Sequence, residues 1–139
     1  MNITYHTLSF STSGMTDIID ITAEVEHKVL TSGIKEGSIL LFISGSTAAL
    51  TTIEYESGVV SDLRDAIERI APDTIHYEHD RRWGDGNGYS HVRAALVGAS
   101  LSVPVKDGHM MLGTWQQIVL LDFDNHPRRR EIQIQISGT

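Results

Sequence analysis

Glu131-Ile132-Gln133-Ile134-Gln135-Ile136-Ser137 places isoleucine at every second position with amides between. Successive side chains of a strand point to opposite faces, so this stretch reads as a half-buried antiparallel strand. Ile132, Ile134 and Ile136 turn to a core, and Gln133 and Gln135 turn to water. Working backwards from it, Asn125-His126-Pro127 is a turn, and Met110 to Phe123 reads as one or two strands around Gly113. Lys106-Asp107-Gly108-His109 is a hairpin signal, because Asp-Gly supplies the positive φ that a tight turn needs. Ser100 to Val105 is a strand that Pro104 marks as an edge or an end. The crossover helices of a parallel βαβ array are missing from this half of the chain.

The first half supplies the remaining elements. Asn2 to Phe10 alternates as a strand, and Ser38 to Ile43 is a continuous apolar run, predicted to be a strand buried on both faces. Thr51 to Tyr55 resumes strand character. Thr22 to Ser32 has helical spacing, with Val25 and Val29 on one face, Thr22 as cap and Gly33 as stop. Gly58 to Ile70 is the clearest amphipathic helix, capped by Ser57 and stopped by Pro72. A short helix is predicted from His91 to Gly98. The sum is an α+β fold: one compact domain over residues 1–139, on a mainly antiparallel, jelly-roll-like β-sandwich with two or three helices.

Composition narrows the function. The chain has 139 residues, no cysteine and a net charge of −7. Disulfides and thiolate metal sites are therefore excluded, and nucleic acid is not expected as a partner, because phosphate backbones select a surplus of Lys and Arg. No apolar run approaches the ~20 residues that span a bilayer, and no signal segment is visible at Met1, so no membrane partner and a cytoplasmic setting are expected.

The chemistry concentrates between Tyr77 and His91, a polar stretch rich in glycine that reads as a long loop. His79 and His91 flank it and are the best metal or acid–base pair, with Asp80, Asp85 or Glu54 able to complete a metal site. Loop hydrogen bonding is the alternative role for the same residues. Arg81, Arg82 and Arg93 offer guanidinium groups for phosphate. Trp115, beside Gly113, is either a core residue or a stacking wall for a ring. Arg128-Arg129-Arg130 could hold phosphate in the same way, although a basic run of this kind is more often an exposed surface or subunit contact, and Ser44 to Leu50 reads as either a tight bend or a place of close ligand approach.

Tyr77-Glu78-His79-Asp80, Ser90-His91-Val92-Arg93-Ala94-Ala95-Leu96-Val97-Gly98 and Leu112-Gly113-Thr114-Trp115-Gln116-Gln117-Ile118 together resemble the YjbQ family, whose members are often described as secondary thiamine-phosphate synthases. The resemblance runs from the first strand to Ile134-Gln135-Ile136-Ser137-Gly138. It implies a homotrimer on an α+β sandwich fold, and synthesis of thiamine phosphate from hydroxymethylpyrimidine pyrophosphate and a thiazole phosphate. On that reading His79, His91 and Arg93 are catalytic, and Thr114, Trp115, Gln116, Asp85 and Asn87 bind a small phosphorylated metabolite. His79 and His91 would hold a divalent ion, zinc or magnesium. Many members carry a third histidine where this chain has Gly45, within Gly45-Ser46-Thr47-Ala48-Ala49-Leu50. The alternative is a non-catalytic trimeric protein that binds a metal or a phosphometabolite.

Overall fold

A computed structural model describes all of residues 1–139. Eight strands and four helices follow one another as β1 (Asn2–Thr12), β2 (Asp17–Asp20), α1 (Thr22–Ser32), β3 (Gly37–Ile43), β4 (Ala48–Ile53), α2 (Ser57–Ile70), α3 (Glu78–Trp83), α4 (Gly88–Val97), β5 (Ser100–Lys106), β6 (His109–Met110), β7 (Gln117–Asp122) and β8 (Arg128–Gly138). The strands form two antiparallel sheets, one ordered β1-β8-β3-β5-β6 and the other β2-β7-β4. This is the α+β sandwich that the alternating C-terminal strand implies, with four helices rather than two or three.

Strand β8 is an interior strand of the larger sheet. It pairs with β1 on one side (Leu8 opposite Ile132) and with β3 on the other (Leu41 opposite Ile134). Ile132, Ile134 and Ile136 all point inward and join Ile39, Leu41 and Ile43 of β3 and Leu50, Ile118 and Leu120 of the smaller sheet in one core. Burying each such side chain is worth about 1.5–3 kcal/mol, so this interface dominates the fold. The smaller sheet is covered on its other face as well: Ala49, Val119, Leu121 and Phe123 pack against Ile67 of α2 and Ala94 of α4. That explains why β7 is buried along nearly its whole length.

Four expectations are corrected. Strand β3 is not buried on both faces: Leu40 and Phe42 are exposed, because no helix covers the outside of the larger sheet. Between β6 and β7 the chain leaves the sheet, and Gly113 to Gln116 make a turn closed by the Gln116 amide nitrogen on the Gly113 carbonyl. The cap of α2 is Glu56 rather than Ser57, its carboxylate accepting from the Gly58 and Val59 amides. The long polar loop holds two helices, α3 and the first turn of α4. They lack an apolar stripe and are held by polar contacts, so hydrophobic periodicity does not reveal them.

Candidate functional site

Helices α3 and α4 form a hairpin joined through Gly84 and Gly86, both at positive φ. The backbone amide of Gly88, first residue of α4, donates to Asp80 Oδ1 at 2.7 Å. A carboxylate at a helix N-terminus satisfies a free amide and the helix dipole together. The approach is tight enough to require glycine, since a Cβ at Gly88 would stand 2.5 Å from the Cβ of Tyr77. Further along α4, Ser90 is fully buried and its hydroxyl donates to the Phe123 carbonyl, fastening the helix to the smaller sheet.

This hairpin brings His79 and His91 together. Their ring centroids are 4.2 Å apart and their planes inclined by 39°. His79 Nδ1 lies 3.4 Å from Asp85 Oδ1 and 3.7 Å from Asp80 Oδ1, and it is buried without a hydrogen-bond partner. A buried ring nitrogen facing two carboxylate oxygens it does not hydrogen-bond is an unmet polar group. Ligand atoms of His79, Asp80 and Asp85 lie within 4.8 Å of one another, so the donor set fits a divalent ion. Its imidazole nitrogen suits zinc better than magnesium, which selects oxygen. Burial pushes the His91 pKa down and the neighbouring His79 adds to it, with Asp85, Asp124 and Asp80 pulling the other way. His91 is thus a neutral imidazole at pH 7, able to donate or accept.

Other expected site residues lie elsewhere. The Arg93 guanidinium is buried and bonded on three sides, to the Ala71 carbonyl, Thr16 Oγ1 and Glu68, and it stacks over Tyr89. Gln116 lines a separate cleft with Thr52, Ser102 and Met111 and donates to Thr52 Oγ1. Trp115 is 72% exposed, and Thr114 is exposed beside it. None of Thr114, Trp115 and Gln116 shares a hydrogen bond with the histidine pair or lines the cavity that His91 lines. Asn87 is buried and donates to Asp124 Oδ1, leaving its own Oδ1 unpaired. Arg81 and Arg82 are exposed on α3, and Glu54 is exposed beyond the end of β4.

The residues that sequence reading missed lie beneath the histidines. Asp122 is fully buried and takes two bonds from Arg130, from Nε at 2.7 Å and from Nη2 at 2.8 Å, and a third from Thr12 Oγ1. Asp124 accepts from Thr47, Asn87, Arg128 and the Asn125 amide. Burial alone would raise its pKa, but those donors outweigh burial and hold it at about 2. Arg130 is 8% exposed, so the basic run is exposed only in part. A signal was present: Asp122 ends an apolar strand and Asp124 follows two residues on, so continued alternation would turn both toward one side.

The family model described as UPF0047 protein YjbQ-like matches residues 6–139. The chain belongs to the YjbQ-like UPF0047 family. A UPF0047 protein of Methanothermobacter thermautotrophicus is 38% identical over 138 residues, covering 99% of this chain and 94% of that protein. UPF0047 protein YugU of Bacillus subtilis is 35% identical over 134 residues, covering 95% and 98%. Among solved structures, a YbjQ-like protein of unknown function from Sulfolobus solfataricus superposes with a TM-score of 0.94 at 33% identity, covering 99% of each chain. A YjbQ/UPF0047 protein from Clostridium acetobutylicum gives a TM-score of 0.87 at 31% identity, covering 95% of this chain and 99% of that one. The YjbQ-like fold therefore extends over the whole chain, including both histidine helices.

Proposed function

We propose that this YjbQ-like protein is an enzyme of the secondary thiamine-phosphate synthase type, joining hydroxymethylpyrimidine pyrophosphate and a thiazole phosphate with release of pyrophosphate. The observation that carries the reading is the His79–His91 pair, with its buried unpaired Nδ1 facing Asp80 and Asp85. In the reaction the thiazole nitrogen lone pair forms a bond to the pyrimidine methylene carbon. The bond from that carbon to the pyrophosphate oxygen breaks, and pyrophosphate leaves with the electron pair. Neutral His91 would donate its N–H to the departing oxygen. A divalent ion on His79, Asp80 and Asp85, zinc in preference to magnesium, would supply positive charge for the pyrophosphate. Arg93 enters as a positioning residue, tying α4 to α2 through Glu68.

The ring-binding wall assigned to Thr114, Trp115 and Gln116 lies apart from the histidines within one chain. In the homotrimer that we propose, a neighbouring copy would bring Trp115 to the site. Exposed Tyr5, Leu40 and Phe42 on the uncovered face of the larger sheet give such an assembly apolar surface to bury. We place the protein in the cytoplasm; no helix is long and apolar enough to cross a membrane. The test is thiamine phosphate formation from the two substrates by wild type and His91→Ala. Equal activity in the two removes the role given to His91. The unpaired Nδ1 would be satisfied equally by an ion in a protein without turnover. Stoichiometric metal with no product would favour that second reading, a non-catalytic trimeric metal- or phosphometabolite-binding protein.

A further inference from the structure

Between β3 and β4 the chain crosses Gly45, Ser46 and Thr47, and the amide N–H groups of all three make no hydrogen bond within the protein. Thr47 is buried, so its donor lies where water is scarce. Directly behind this turn stands Arg130. Its Nε and Nη2 are taken by Asp122 and Thr47, and Nη1 has no partner and is not sealed from solvent. Nη1 lies 3.1 Å from the point a Cβ at Gly45 would occupy, so the glycine leaves it uncovered. Gly45 is also at a φ of +132°, which side chains rarely adopt. Gly45 and Ser46 line a cavity of about 370 Å³ whose opposite wall is His91, Ala94 and Ala95 of α4.

Successive free backbone amides make an anion-binding concavity, and a guanidinium edge matches the oxygens of a phosphoryl group. The Asp122 and Asp124 carboxylates are fully engaged with Arg130, Arg128, Thr47 and Asn87, so they hold the donors in place. We propose that the Gly45-Ser46-Thr47 amides and Arg130 Nη1 form a phosphoryl-binding subsite, opened by Gly45 and adjoining His91. The ligand it takes is a phosphate monoester or pyrophosphate, held by hydrogen bonds rather than by net positive charge. As a subsite of the reaction centre it rests on the functional reading above, and it assigns the phosphate to Arg130 rather than to Arg93 or Arg81.

The test is calorimetric titration of the chelator-treated full chain with inorganic phosphate and with pyrophosphate at constant ionic strength. Wild type is expected to show one saturable site. Gly45→Ala covers Nη1, and Ala95→Leu fills the cavity from an exposed helix position without touching the buried ion pairs. Each is expected to weaken binding by roughly tenfold or more, the worth of one charge-assisted hydrogen bond. No phosphate or pyrophosphate binding by wild type, or undiminished binding by both variants, overturns the proposal. The two readings fail separately. Phosphate binding without thiamine phosphate formation leaves the subsite standing and removes the synthase; turnover with unchanged phosphate affinity in both variants does the reverse.

Discussion

The imidazoles of His79 and His91 are 4.2 Å apart on two separate helices, and burial holds the His91 pKa below its ordinary value, helped by His79. Unfolded His91 takes up its proton near 6.5, whereas the folded protein takes it up only at lower pH. Across that window the unfolded chain binds more protons, so stability falls with falling pH and is independent of this group above about 6.5. In chelator-treated protein the urea midpoint of wild type should drop as the pH is lowered from about 6.5 to 5, and that of His91→Asn should drop less. Parallel profiles for the two proteins would show that the ring is not held neutral.

His79 Nδ1 is the one nitrogen donor grouped with the Asp80 and Asp85 carboxylates. Replacing it with alanine should lower zinc affinity by more than the ~10–100-fold typical of a change outside the ligand set. Asp85→Asn keeps the shape but removes a charge, and should cost less than His79→Ala. Competition against a chromophoric chelator measures both. Unchanged affinity in His79→Ala would leave the buried nitrogen without an ion as its explanation.

The sandwich was legible because its strands alternate and its turns carry Asp-Gly and Asn-His-Pro. The site was legible only as residue types. His79 and His91 stood out as the best pair in a polar stretch, but α3 has no apolar stripe, and its meeting with α4 depends on the contact between Asp80 and Gly88. The Asp122–Arg130 pair was hidden for a different reason. A basic run reads as solvated, and only pairing across the fold shows that Arg130 is buried while Arg129 beside it is exposed. Arg93 shows the converse: a guanidinium that reads as a phosphate ligand is enclosed by Glu68, Ala71 and Thr16.

Asp122 and Arg130 form a buried pair with two parallel bonds. Removing one partner of such a pair leaves a buried charge unmatched, which costs about 3–5 kcal/mol. Asp122→Ala should therefore unfold at much lower urea than wild type. Alanine in place of exposed Glu78, in its surface pair with Arg81, should change stability by less than about 1 kcal/mol. A small effect at Asp122 would mean that Arg130 finds water once its partner is gone.

Gly88 is the point where the two histidine helices touch. A methyl there would meet the Cβ of Tyr77 at 2.5 Å and Asp80 Oδ1 at 3.0 Å, so one of the helices must move. Overpacking of this kind costs about 1–3 kcal/mol, and here the displacement carries His91 away from His79 and Asp80. Gly33→Ala is the matched control. It places a side chain at positive φ in the C-cap of α1 with nothing within 4 Å, so it lowers stability without touching the site. Thermal unfolding should register both substitutions, but zinc affinity should fall only in Gly88→Ala. An equal loss of affinity in both would trace the effect to general destabilisation and not to the spacing of the two helices.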